Sequence, residues 1–160
     1  MEVFELSKKI PALQNLRVLE NIRFFFEGLA AFCLARQTHQ PKWRVVGEEA
    51  ANKLLKLELV LKWNFEHKSK LLQAERCYLD GELESAEAAY QASIKSALEH
   101  KFIHEAALAY ELYGIFCIEN NMVDEGRKQL QMAVDKYKQW GAMQKVAEVL
   151  SFMELVSPLH

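Results

Sequence analysis

Glycine and proline are scarce in this chain, at six and three of 160 residues. That leaves little material for the many tight turns an all-β fold requires. Cysteine is scarcer still in any useful arrangement. Cys33, Cys77 and Cys117 are odd in number and far apart, which argues against the disulfide framework of a small secreted domain and for a reducing compartment. No long apolar run is present. The most apolar stretch, Ile22 to Leu34, is broken by Arg23 and Glu27 and is too short to span a bilayer. The first residues, Met1 to Lys9, mix acidic and apolar side chains, unlike a secretory leader.

An excess of positive charge is also missing. Twenty Lys and Arg face 22 Asp and Glu, a formal net charge of -2, without the basic footprint of a nucleic-acid binder. The one small basic cluster, Lys8-Lys9, reads as a solvated helix entry. The expectation is a soluble, cytoplasmic protein with neither membrane nor nucleic acid as partner.

Signatures of catalysis are absent as well. No Gly-x-Gly occurs, and no Gly-Lys-Ser or Gly-Lys-Thr, so no phosphate-cradling loop is written here. His104-Glu105 opens like a zinc-protease helix, but Leu108 stands where the second histidine must ligate. His100 and His104 are four apart, yet His100 is expected in a turn. The acidic pairs Glu48-Glu49 and Asp124-Glu125 read as solvent-facing helix residues. The cysteines recur beside the small residues of helix crossings and read as small buried hydrophobes. The expectation is a non-enzyme with no catalytic residue, cofactor or metal.

What the chain does have is helical spacing of apolar residues almost throughout, punctuated at regular places. A first helix from Pro11 carries Leu13, Leu16, Leu19, Ile22, Phe26, Leu29 and Cys33 on one stripe and stops near Thr38-Pro41. A second, from about Lys42, carries Trp43, Val46, Ala50, Leu54, Leu57 and Leu61. Asn64 suggests an N-cap for a third, which Asp80-Gly81 ends. Further helices are expected at about Glu82–His100, Ile103–Glu119 and Val123–Gln139, and from Ala142 to about Leu155 before Pro158. The run Phe24-Phe25-Phe26 covers more than one helix face, with the core as its main expected use and contact with another domain as the alternative for part of it.

An internal repeat is the most informative feature. Shifted by 40 residues, Ala74, Cys77 and Tyr78 fall on Gly114, Cys117 and Ile118, while Ala86, Tyr90 and Ser93 fall on Gly126, Leu130 and Ala133. These are the small and large residues that closely crossing helices require. A shift of 44 places Ala30 on Ala74 and Cys33 on Cys77, with Ala50, Leu54 and Leu57 repeating in the second helix at another offset. The fold class is therefore all-α: a tetratricopeptide-like stack of three helical hairpins with a C-terminal capping helix, a plain helical bundle being the alternative. The expected layout is one domain with a lead-in over 1–10, hairpins over 11–63, 64–100 and 101–141, and a cap over 142–157. The period exceeds the usual 34 residues because helices or connections are longer.

The blocks Trp63 to Lys68, Leu72 to Glu75, Glu105 to Leu112, and Tyr137 to Ala142 with Lys145-Val146 carry a resemblance. The segment from about Leu19 to Leu150 resembles the tetratricopeptide-like region of very large signalling proteins. Those proteins also carry a kinase-like domain, an AAA-type ATPase, a GAF sensor and often a histidine kinase. The usual cysteine-proline before the Asn-Phe block is replaced by Leu61-Lys62-Trp63. The resemblance implies a regulatory, protein-contacting role in signal transduction, with neighbouring domains of the same polypeptide among the partners. It supplies no catalytic residue.

Stacked hairpins bind along the concave surface of their first helices. Counted from the crossing residues, that surface is expected to include Phe24, Glu27, Leu34, Lys68, Leu71, Glu75, Tyr78, Leu108, Glu111, Ile115 and Ile118. With Lys68 as main cation, it suits a helix or mixed-charge peptide; the alternative is that the closing helix or the N-terminal segment fills part of it. A structural spacer or dimerisation element is the rival reading.

Overall fold

The computed structural model describes residues 11–156, with side chains from residue 21 onward. The lead-in with Lys8-Lys9, the side chains of Leu13, Leu16 and Leu19, and Pro158 lie outside the described residues.

Seven helices follow one another, and no strand occurs among the described residues. They are α1 (Pro11–Thr38), α2 (Pro41–Val60), α3 (Lys62–Leu79), α4 (Leu83–Glu99), α5 (Ile103–Glu119), α6 (Val123–Trp140) and α7 (Met143–Leu155). Each packs on the next, and α1 also meets α3, which in turn meets α5. The result is a tetratricopeptide-like stack: hairpins α1/α2, α3/α4 and α5/α6, with α7 packed on α6.

One turn is used four times. Gly81, Lys101, Asn121 and Gly141 all have positive φ, at 75°, 62°, 64° and 86°, twenty residues apart. In each turn the next residue's N–H reaches a carbonyl five positions back: Glu82 to Cys77, Phe102 to Ala97, Met122 to Cys117 and Ala142 to Tyr137, at 2.8–2.9 Å. This is the Schellman closure, which satisfies a carbonyl that the helix end would otherwise leave unpaired. Helices of 17 or 18 residues joined by this turn generate the 40-residue repeat.

The repeat predicted for the second and third hairpins is buried as a set: Ala74, Cys77, Ala86, Tyr90 and Ser93, then Gly114, Cys117, Gly126, Leu130 and Ala133. The α5/α6 crossing is the tightest. A Cβ on Gly126 would lie 2.8 Å from the Gly114 carbonyl oxygen, so the two backbones touch. Across the second and third hairpins, Tyr90 stacks on Tyr113 at 5.4 Å and Phe116 meets Tyr90 at 5.3 Å.

Two local expectations are corrected. Asn64 is no N-cap. Only Leu61 separates α2 from α3, so α3 begins at Lys62 and Asn64 lies in its first turn, its N–H bonded to the Leu61 carbonyl. Among the described side chains of α1 the buried residues are Phe25, Gly28, Ala31, Phe32 and Ala35, while Ile22, Phe26 and Ala30 are exposed. A Cβ on Gly28 would meet Leu72 and Ala50, so Gly28 and not Ala30 is the close-contact residue. The 44-residue shift therefore does not describe the first hairpin.

Candidate interaction groove

The first helices of the three hairpins, α1, α3 and α5, enclose a hollow of about 480 Å³. Its walls are Leu29, Cys33, Arg36 and Gln37 from α1 and Leu112, Ile115 and Glu119 from α5, over a floor of Glu75 and Tyr78 from α3. A second hollow of about 180 Å³ shares Ile115 and continues past Glu111 to Lys145, Glu148, Val149 and Phe152. Ile115 lines both hollows, so the two lie side by side along α5, with α1 and α3 completing the larger and α6 (Leu130) and α7 the smaller.

The polar groups of the floor are held by internal partners. The Arg36 guanidinium donates to Glu75 at 2.7 Å and lies 4.3 Å over the Tyr78 ring. Glu75, only 2% exposed, also accepts from the Tyr90 hydroxyl at 2.5 Å. Burial opposes the charge on Arg36, but Glu75 outweighs it and raises the guanidinium pKa. Burial, reinforced by Glu75, pushes the Tyr90 phenol well above its ordinary range, so the carboxylate stays the acceptor. Tyr78 donates its hydroxyl to Glu119.

The same design recurs in the second hollow. Glu111 accepts from Tyr137 at 2.6 Å and from Lys145 at 2.8 Å. In both cases a carboxylate on a first helix takes a tyrosine from its own hairpin and a cation from the first helix of the neighbouring unit. Each cluster ties two units together and fixes the groove's shape.

Of the sequence-predicted groove residues, Glu75, Tyr78 and Ile115 line the larger hollow, and Glu111 joins Ile115 in the smaller one. Leu71 is core, at 1% exposure. Lys68 is buried too: its ammonium reaches Glu105 at 2.9 Å and His67 Nε2 at 2.9 Å, ringed by Phe25, Phe65 and Phe102. It is a structural cation, not the free cation of the open face. Leu108 is half-buried against the core, and Ile118 packs beneath Gly126 of α6. Phe24 lies half-buried under Lys53 of α2. Glu27 is exposed and Leu34 half-buried, both outside the two hollows.

The residues missed on α1, namely Leu29, Cys33, Arg36 and Gln37, share one cause. Taking Ala30 instead of Gly28 as the crossing residue turns the expected face by two residues, or about 200°. Cys33 belongs to the groove and is half-buried, whereas Cys77 and Cys117 are core residues.

Among the described residues, no three His, Cys, Asp or Glu side chains gather into a metal-binding group, and no helix is long and apolar enough to cross a membrane. Comparison of the chain with protein families, curated proteins and solved structures finds no match.

Proposed function

We propose that this chain is a non-catalytic protein–protein interaction module whose ligand lies in the groove over Ile115. The observation that carries this reading is the groove itself. It is an open hollow of about 480 Å³ with mixed apolar and polar walls, held in shape by the Arg36–Glu75 ion pair between units, and it lies where stacked hairpins bind peptides. The resemblance of blocks such as Glu105 to Leu112 to signalling ATPase/kinase proteins adds a context: a cytoplasmic regulatory domain that contacts proteins, neighbouring domains of its own polypeptide included.

The test is affinity capture on immobilised chain, run in parallel with an Ile115→Lys variant. A protein retained by the natural chain and lost from the folded variant supports the reading. Retention that ignores Ile115→Lys removes this groove from consideration.

The spacer or dimerisation reading draws on a different observation. The outward face of α7 exposes Met143 and Leu150, with Leu155 at its end, as a stack does where another helix could be added. Light scattering over a concentration series measures that self-association.

A further inference from the structure

Charge decides what kind of peptide the groove accepts, and the burial pattern decides which charges count. Six charged side chains line the two hollows: Arg36 and Lys145 against Glu75, Glu111, Glu119 and Glu148. Both cations are already committed, Arg36 to Glu75 and Lys145 to Glu111. Glu75 is sealed beneath its partners at 2% exposure, and the Glu111 side chain is 14% exposed. That leaves Glu119 and Glu148 in surplus. Glu119 is exposed and receives only the Tyr78 hydroxyl, while Glu148, half-exposed, shares the already paired Lys145 at 3.3 Å. Lys68, which would have balanced them on an open face, is buried on Glu105.

Resting on the interaction reading above, we infer that the groove's partner is a peptide segment that combines apolar anchors with lysine or arginine. Its apolar side chains occupy the two hollows on either side of Ile115. Its cations reach Glu119 at the end formed by α1, α3 and α5, and Glu148 at the end formed by α7. An acidic or phosphorylated segment meets the surplus negative charge at Glu119 and Glu148, with both lining cations already paired, and is rejected by repulsion.

The test uses the full chain and two short fluorescein-labelled peptides with identical leucines, one carrying lysines and the other glutamates, read by fluorescence anisotropy. The lysine peptide is expected to bind and the glutamate peptide not. Glu119→Gln and Glu148→Gln each weaken binding about threefold, as solvent-exposed ion pairs do. The paired control Glu49→Gln/Glu84→Gln, at exposed carboxylates outside the groove, leaves binding unchanged. Ile115→Lys abolishes binding. Should that variant unfold, attaching a bulky maleimide to Cys33, the one cysteine on the groove, blocks the same hollow in the natural sequence.

If both peptides bind equally and both are lost on blocking, the groove reading stands and the cationic partner class falls. Lysine-peptide binding that survives blocking, or is weakened as much by the control carboxylates, means non-specific attraction to an acidic protein and overturns the inference. Binding of neither peptide overturns it as well, leaving the capture experiment to judge the groove alone.

Discussion

Lys68 and Glu105 meet at 2.9 Å with side chains 8% and 10% exposed, joining α3 to the first turn of α5. Phe25, Phe65 and Phe102 surround the ammonium, and His104 reaches the other carboxylate oxygen at 2.5 Å. Breaking a buried pair from one side leaves an uncompensated charge among apolar rings. Lys68→Met should therefore cost about 3 kcal/mol of unfolding free energy. The Lys68→Met/Glu105→Gln double variant should lose less than the sum of the singles. Urea denaturation of the four proteins measures this. Additive losses would mean that the two residues do not act as a pair.

Acid should loosen the same joint by two routes. Burial raises the Glu105 pKa, but the nearby His67 ring and the Lys68 ammonium outweigh it and bring it down to about 2. Its contribution is therefore complete above the unfolded value near 4.5 and is lost as pH falls toward 2. His67 is 1% exposed, stacked on Phe102 at 4.4 Å, and its Nδ1 has no hydrogen-bond partner. Burial first, with Lys68 and His100 adding repulsion against the attraction of Glu105, lowers its pKa. The unfolded chain takes up that proton below about pH 6.5 and the folded chain resists it, so stability starts to fall there. Melting temperature should decline from pH 7 to pH 5, and His67→Gln should flatten that segment while leaving the steeper loss near pH 4.

The three thiols should separate by rate. Cys33 is half-buried on the groove wall, while Cys77 and Cys117 are 5% and 0% exposed. Burial raises the Cys77 pKa and carries that of Cys117 to about 11, which lowers their thiolate fractions further. A disulfide reagent at pH 8 should titrate one thiol in the native protein, Cys33, and the other two only in denaturant. Loss of the fast thiol in Cys33→Ser checks the assignment.

Lys101 sits where the equivalent turns have Gly81 and Gly141, and holds φ at 62°. The left-handed region costs a residue with a Cβ about 1 kcal/mol. Lys101→Gly should stabilise the protein by about that amount, and Gly81→Ala should destabilise it comparably. Thermal melts of both variants read the result, and a loss of stability in Lys101→Gly would contradict the turn geometry.

The end of α3 and helices α4 to α7 were legible in the sequence because their punctuation is local. Asp80-Gly81, Asn120-Asn121 and Trp140-Gly141 mark ends, and Ala74/Gly114 and Ala86/Gly126 mark crossings at constant spacing. The face of α1 was not. Its 28 residues run without an internal break, and their apolar side chains support more than one stripe. Only contact with Leu72 and Ala50 selects Gly28 as the inward residue. On the groove, Glu75, Tyr78, Glu111 and Ile115 were reachable from helical spacing alone. Their partners were not, because Arg36 meets Glu75 across 39 residues and Lys145 meets Glu111 across 34. No periodicity within a helix encodes such pairs. For the same reason Lys68 read as an open cation: its burial depends on rings from α1 and from the start of α5.

The four equally spaced turns also make the chain divisible. A cut or insertion of one full hairpin between equivalent turns, such as Lys101 and Gly141, leaves every later helix in its role and lengthens or shortens the groove by one unit. A change of one helix between adjacent turns exchanges inner for outer helices downstream, carrying Ile115 and Glu119 out of the groove and α6 into it. Growth and loss of this fold are therefore tolerated in pairs of helices, and the groove changes length without changing its wall.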